Sequence, residues 1–98
     1  QLDFSKSATD IHHLVCGLNP WPIAFTTLED KILKVYKTNI ITNSNGVAGQ
    51  LIAENRLIVA CAFDAIEIVE LQLEGGKRML ASDFLRGRKL QKNIILGK

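Results

Sequence analysis

Histidine and cysteine are the first residue types in this chain to consider as metal ligands or nucleophiles. His12 and His13 are adjacent, so on a helix their side chains point about 100° apart and cannot both face one ion. Cys16 and Cys61 form no Cys-x-x-Cys pair, which leaves a zinc or redox site without support. We therefore expect one histidine to be packed and the other exposed, both thiols to be buried, and no metal site.

Paired carboxylates and phosphate-binding glycines are equally poorly represented. Glu67 and Glu70 lie at an odd spacing in a strand-like run, and strand alternation predicts that they point to opposite faces, where they cannot work as an acid–base pair. Gly75-Gly76 is not followed by Lys-Ser/Thr and is typical of a turn. The sequence predicts no catalytic residue in this chain.

Basic residues are concentrated near the C-terminus. Residues 1–76 contain five Lys/Arg and nine Asp/Glu, a net charge of −4, whereas residues 77–98 contain seven Lys/Arg and one Asp, a net charge of +6. A segregated field of one sign attracts a polyanion, although a solvated basic tail is an equally open interpretation. The candidates for phosphate contact are Lys77, Arg78, Arg86, Arg88, Lys89 and Lys92. For the earlier lysines 31, 34 and 37, a solvated face is the simpler interpretation.

Trp21 lies between Pro20 and Pro22, which stiffen the backbone on both sides. A large indole held in this way either anchors the preceding helix or offers a stacking surface, and the usual burial of tryptophan favours the structural anchor. With only six aromatic residues in the chain, a protein that stacks every base of a single strand is not favoured.

One amphipathic helix is predicted to precede this segment. Ser7 is suited to cap the helix and Asp10 lies in its first turn. Apolar residues then recur at helical spacing, and Asn19-Pro20 ends the pattern. The helix is expected from about Ala8 to Leu18.

Short β-prone runs separated by turn residues follow the helix. They are Ala24–Leu28, Ile32–Thr38, Val47–Ala53, Leu57–Ala62 and Ala65–Leu73. The first two runs are expected to pair across residues 29–31, with Leu33, Val35 and Lys37 on one face, and the third and fourth to form another hairpin. In the last run the apolar alternation slips between Ile68 and Val69, which predicts a β-bulge.

These elements predict a mainly β fold, a small open antiparallel barrel of the oligonucleotide-binding-like type. An N-terminal helix and a short C-terminal helix, capped by Ser82 or Asp83 and stopped by Gly87, complete it. The 98 residues form one domain of ordinary globular composition, without an apolar run of the roughly 20 residues that span a bilayer. The cysteine usage favours a reducing, intracellular compartment, and the start at Gln1 suggests a fragment of a longer chain.

Four stretches resemble the C-terminal domain of methionyl-tRNA formyltransferases. Asn19–Thr27 is similar to the family's N-P-W-P-x-A-[FY] segment, and Leu33–Tyr36 to its L-K-[IV]-[WY] strand. Leu71–Gly87 resembles the segment L-Q-P-x-G-K-[KR]-x-M-x-A-x-D-F-L-x-G, and Ser5–Ala8 the start of the domain. Departures at Ile23, at Ala48-Gly49 and at residues 92–94 affect turns.

The resemblance implies an open barrel, residues 1–98, appended to a catalytic domain that formylates methionine on initiator tRNA with 10-formyltetrahydrofolate. The family's catalytic group and folate site lie in that other domain, so this chain is expected to be inactive alone and to hold no cofactor. Its expected partners are initiator tRNA and the N-terminal catalytic domain, without membrane or metal. The expected location is the bacterial cytoplasm, or an organelle in a eukaryote. The alternative is an accessory barrel of another formyltransferase-type enzyme that binds no RNA.

Overall fold

The structure, a computed structural model, describes all residues except 19–22, 45, 54, 89, 91–93 and 98, and the side chain of Leu18. Its elements are α1 (Ala8–Leu18), β1 (Ala24–Leu28), β2 (Lys31–Ile41), β3 (Ile58–Ala60), β4 (Ala65–Leu73), β5 (Arg78–Leu80) and α2 (Ala81–Gly87). The antiparallel sheet has the order β1-β2-β4-β3, and β5 also pairs with β4. This open, curled sheet with two helices confirms the predicted fold class.

Helix α1 has the predicted bounds. The Ser7 hydroxyl accepts a hydrogen bond from the backbone N–H of Asp10 at 3.2 Å, as expected of a cap. Ala8, Ile11 and Val15 are buried against the sheet. The predicted stop at Asn19-Pro20 lies outside the described residues.

The first predicted hairpin is confirmed. Strands β1 and β2 pair from Ala24 opposite Val35 to Leu28 opposite Lys31. Glu29 and Asp30 connect them with φ angles of 50° and 69°, the positive values that a two-residue turn needs to match the twist of its strands.

Two bulges interrupt the pairing of β2 with β4. Lys37 lies opposite Glu70 and Thr38 opposite Ile68, which leaves Val69 as the extra residue of β4, at the predicted bulge. The register also shifts between Val35 and Lys37, where Tyr36 is the extra residue of β2. The prediction that Lys37 shares a face with Leu33 and Val35 is wrong, because this second bulge moves the lysine to the exposed face.

The second predicted hairpin forms only in part. Val47–Ala53 is not a continuous strand, since it is joined to the rest through isolated bridges from Gln50 to Ile95 and from Leu51 to Val59. A turn closed by the Gln50 N–H and the Val47 carbonyl, together with the positive φ of 87° at Gly49, interrupts the extended backbone.

The C-terminal helix begins differently from the prediction. Neither Ser82 nor Asp83 caps α2, because β5 runs directly into it and the cap position is Leu80, without a side-chain cap bond. Gly87 is the last helical residue, as predicted. Strand β5 was not predicted, since three residues are too few to show a periodic pattern.

The inner face of the sheet carries the core. Leu33, Val35, Ile66, Ile68 and Leu71 are fully buried there. Ile11 and Val15 of α1 and Phe84 of α2 belong to the same cluster. No helix among the described residues has the length and apolarity needed to cross a membrane.

Replacing Gly49 tests the tight packing of the loop that precedes β3. A Cβ added at Gly49 would lie 2.7 Å from the carbonyl oxygen of Leu96, in a backbone with φ of +87°. We expect Gly49→Ala to lower the free energy of unfolding by about 1–3 kcal/mol, as measured by urea denaturation. In the control Gly17→Ala, where an added Cβ meets nothing within 4 Å, α1 should gain roughly 0.5–1 kcal/mol. Equal effects of the two substitutions would contradict the packing.

Candidate nucleic-acid interface

The face of the sheet opposite the core, here called the outer face, carries a row of polar side chains. Lys34 of β2 lies opposite Gln72 of β4, and Gln72 lies opposite Arg78 of β5. Directly opposite residues of neighbouring strands point to the same face. The sheet therefore sets Lys34 and Arg78 two strands apart on one surface, with Lys37 of the same face three residues along β2.

Arg78 is held in a fixed position on this surface. Its guanidinium carbon lies 3.9 Å from the ring centroid of Tyr36, within the range of a cation–π contact. Its Nε donates to Glu70 at 2.6 Å. The Tyr36 hydroxyl donates to the side-chain oxygen of Gln72 at 2.8 Å. The ring of Tyr36, the extra residue of the β2 bulge, therefore supports the guanidinium of Arg78 from one side.

Glu70 links the two cations nearest the bulge. Besides its hydrogen bond from Arg78, it lies 3.9 Å from the ammonium of Lys37. The hydrogen bond from Arg78 lowers the pKa of the Glu70 carboxyl, and the charges of Arg78 and Lys37 add to the effect. The same bond raises the pKa of Arg78.

The prediction that Glu67 and Glu70 point to opposite faces is wrong. Glu67 lies opposite Asn39 and Glu70 opposite Lys37. The extra residue Val69 shifts the alternation of side chains by one position, so both carboxylates point to the outer face. Glu67 receives hydrogen bonds of 3.0 and 2.7 Å from Arg56, which raise the pKa of that arginine. Each of the two acids accepts hydrogen bonds from a different arginine.

The other C-terminal arginines lie away from this row. Arg86 donates to Asp83 within α2, and Arg88 donates to Glu29 of the β1–β2 turn at 3.3 Å. The predicted contact set contains three arginines, Arg78, Arg86 and Arg88. Each is bound to a different carboxylate, and the three lie at different places in the fold. Lys77 is exposed, and no ion pair of Lys77 or Lys34 is found in the described part of the chain. Lys89 and Lys92, like the anchor Pro20, Trp21 and Pro22, lie outside the described residues.

An open pocket of about 590 Å³ adjoins the two bulges. Its walls include Tyr36, Lys37, Asn39, Val69 and Arg78 from the sheet and Cys16 from α1. Sequence reasoning missed this pocket, because the bulge at Tyr36 has no counterpart in the apolar pattern.

Beside the pocket, His12 and Cys16 form a small polar cluster. The Nδ1 atom of His12 lies 2.7 Å from the hydroxyl of Thr38, and its Nε2 lies 3.8 Å from the Cys16 sulfur. His12 is half-buried and His13 exposed, as expected. The prediction that both thiols are buried is wrong for Cys16, which is exposed because it follows Val15 on the helix and so points away from the core. For Cys61 it is right, and burial raises the pKa of that thiol to about 11.

Among the residues that the structure describes, no three His, Cys, Asp or Glu side chains gather to hold a metal ion. Beside the carboxylates of Glu67 and Glu70, the outer face carries the cations Lys34, Lys37 and Arg78 and the amides of Asn39 and Gln72, which are suited to contact an anion.

The comparisons with known proteins agree on one family. A family described as formyl transferase, C-terminal domain, matches residues 1–89. The chain belongs to this family. It is 46% identical to methionyl-tRNA formyltransferase of Geotalea uraniireducens, with 99% of the chain and 31% of that protein aligned. For the enzymes of the same name from Citrifermentans bemidjiense and Lachnospira eligens the identities are 43% and 38%, covering 99% and 100% of the chain and 31% and 34% of each protein.

This formyl transferase C-terminal domain spans about a third of the length of the curated relatives it matches. The resemblance drawn from the sequence motifs is therefore confirmed. Two of the positions that depart from the family pattern lie in irregular segments, as expected: Ile23 precedes β1, and Ala48 lies in a turn just before Gly49, whose φ is positive.

The bond between Arg78 and Glu70 predicts a measurable titration. We expect the carboxyl of Glu70 to titrate below its ordinary pKa of 4.5, and Arg78→Ala to raise that pKa towards 4.5. Because the pKa is lowered in the folded state, the pair stabilises the fold above pH 4.5 and its contribution is lost as the pH falls through the lowered value. Carbon-13 NMR of the carboxyl groups measures this, with Arg56→Ala as the control that leaves Glu70 unchanged. A pKa at or above 4.5 in the unaltered chain would contradict the geometry.

Proposed function

We propose that this domain binds tRNA through its phosphate backbone and helps to place the acceptor end of initiator methionyl-tRNA in a catalytic domain that precedes it. That catalytic domain would transfer the formyl group of 10-formyltetrahydrofolate to the methionine amino group. The domain itself supplies binding and not chemistry. The names of the relatives, methionyl-tRNA formyltransferase, support this parent activity.

The observation that carries the proposal is the arrangement of Lys34, Lys37 and Arg78 on one exposed face. Cations spaced along and across a sheet can meet successive phosphates of a nucleic acid strand, and such contacts are independent of base sequence. Arg78 adds the planar fork that binds phosphate oxygens in pairs. The family membership supports tRNA as the polyanion that binds this face.

The carboxylates beside the arginines limit the strength of binding. Glu70, Asp83 and Glu29 each offset part of the positive charge that a phosphate would meet. Exposed ion pairs contribute little to stability, so a phosphate can replace a carboxylate without much cost. In the hydrogen bonds found among the described residues, each of these arginines donates through one nitrogen, and a guanidinium has further N–H groups that can meet a phosphate. Because Lys34, Lys37 and Arg78 share one face, we rank them above Arg86 and Arg88, which lie elsewhere in the fold. Lys77, Lys89 and Lys92 stay candidate contacts.

The same carboxylates favour the alternative function, an accessory barrel that shapes a formyltransferase without touching RNA. In that case the arginines would serve the fold through Asp83 and Glu29 alone. Binding of total tRNA at low and moderate salt separates the two functions, because a purely structural barrel shows no salt-dependent affinity.

Removing two lysines of the outer face tests the tRNA site. We expect the chain to bind tRNA with a dissociation constant of about 10⁻⁴–10⁻⁶ M, as for sequence-independent contacts at physiological salt. Lys34→Ala with Lys37→Ala should weaken binding and reduce the slope of log affinity against log salt by about 1.4–1.8, the contribution of two phosphates. Filter binding over a salt series measures both quantities. The control, Lys6→Ala with Lys31→Ala, changes the net charge equally at exposed positions outside the row. Equal losses in the two doubles would refute the assigned site.

A second double variant tests the C-terminal set. Reversing the charges with Arg86→Glu and Lys89→Glu should reduce affinity for all tRNAs alike, because phosphate contacts carry no sequence information. The measurement is binding of initiator and elongator tRNA in parallel. If the affinity is unchanged, Arg86 and Lys89 do not contact tRNA. The assignment of Lys34, Lys37 and Arg78 on the outer face is then unaffected.

A further inference from the structure

We propose that the pocket at the two bulges binds one unpaired nucleotide of the RNA, with its base stacked on the guanidinium of Arg78 and its phosphate on Lys37. This inference rests on the proposed function and adds to it a specific subsite. The rest of the outer face would contact only the backbone.

The dimensions of the pocket suit a single nucleotide. Its volume of about 590 Å³ lies within the roughly 300–1,000 Å³ typical of sites for small organic molecules. It opens where Tyr36 and Val69 leave the ladder between β2 and β4, and bulges commonly redirect side chains beside binding sites. A paired base within a helix could not enter, since its faces are covered by its neighbours.

The side chains in the walls match the parts of a nucleotide. One face of the Arg78 guanidinium covers Tyr36, and the side chain is half exposed. A base can stack on this exposed surface, an arrangement common in the recognition of unpaired RNA. The amide of Asn39 can donate to and accept from a base edge. The ammonium of Lys37 supplies the charge for a phosphate, and Val69 provides apolar contact.

The arginine is already fixed before any ligand binds. The Nε–H of Arg78 donates to Glu70, and its stacking on Tyr36 sets the plane. A side chain ordered in advance loses little conformational entropy on binding. This explains why Glu70 is present in a cationic surface that it partly neutralises: it holds the flat face of the arginine in place.

Cys16 provides a reporter within the chain. It is exposed and lines the pocket, whereas Cys61 is buried. Alkylation by iodoacetamide, followed by mass spectrometry, should modify Cys16 and leave Cys61 unreacted in the folded chain. A nucleotide in the pocket would slow the reaction of Cys16 alone.

The experiment compares four ligands at equal phosphate concentration: a short single-stranded RNA, the same sequence as a duplex, a ribonucleoside 5′-monophosphate and inorganic phosphate. We expect the single strand to protect Cys16 and the duplex to bind without protecting it. Protection by the monophosphate that exceeds protection by inorganic phosphate at the same concentration identifies a nucleotide as the ligand. Protection by inorganic phosphate to the same degree would show an anion site without base recognition and overturn the inference.

A matched pair of variants isolates stacking from charge. Arg78→Lys keeps the charge and loses the planar face, and we expect single-strand affinity to fall about fivefold or more, as for the loss of one base-stacking contact. Arg56→Lys is the control, since Arg56 is similarly exposed (54% against 51%) and bound to a glutamate, but does not line the pocket. Asn39→Ala, at an exposed position, should also reduce the protection of Cys16 by single-stranded RNA. This variant replaces Arg78→Lys in the test if Arg78→Lys does not fold stably.

The outcomes separate the two proposals. Single-stranded RNA that binds without protecting Cys16, or that binds Arg78→Lys as well as Arg56→Lys, would overturn the nucleotide subsite and leave backbone binding intact. Failure of every RNA to bind at low salt would overturn both the subsite and the proposed function.

Discussion

Two bulges that face each other across β2 and β4 determine what the outer face presents. A continuous apolar inner face requires strict alternation, and an extra residue in one strand reverses it. In β4, Val69 separates Glu67 from Glu70 so that both acids point outward while Ile68 and Leu71 stay buried. In β2, Tyr36 brings Lys37 to the same outer face. The bulges therefore bend the sheet, gather the charges and open the pocket.

The acids on this surface have two opposing effects. Each carboxylate reduces the attraction for phosphate, yet each also removes rotational freedom from the cation beside it. For a flexible lysine the loss of charge outweighs the gain in order, because an ammonium can meet phosphate in many geometries. For Arg78 the order has more value, since stacking and bidentate contact both require a fixed plane. The distances agree, with Arg78 at 2.6 Å from Glu70 and Lys37 at 3.9 Å.

The sequence predicted elements that depend on local patterns and missed features that depend on partners. The bounds of α1 follow from the Ser7 cap and the helical spacing, and the bulge at Val69 from the slipped alternation. The bulge at Tyr36 does not disturb the sequence pattern in this way. Lys34 and Lys37 are polar residues whether or not the strand contains an extra residue, so the pattern does not show on which face Lys37 lies. The short strand β5 and the carboxylate partners of Arg78 and Arg88 likewise depend on pairing between separate segments of the chain. Charge counting therefore located the basic end but not the lysines of β2.

The proposed tRNA role requires only modest affinity of this domain. Backbone contacts through a few cations give weak, salt-dependent binding that does not distinguish tRNAs. When such a domain is joined to a catalytic domain with its own contacts, the second binding step becomes intramolecular, and the two weak affinities combine through a high effective concentration. Tight binding by the barrel alone would retain every tRNA equally and slow product release. If the barrel binds tRNA as proposed, the partial neutralisation by Glu70, Asp83 and Glu29 would keep its affinity within this weak range, and discrimination between tRNAs would fall to the domain that contacts the acceptor end.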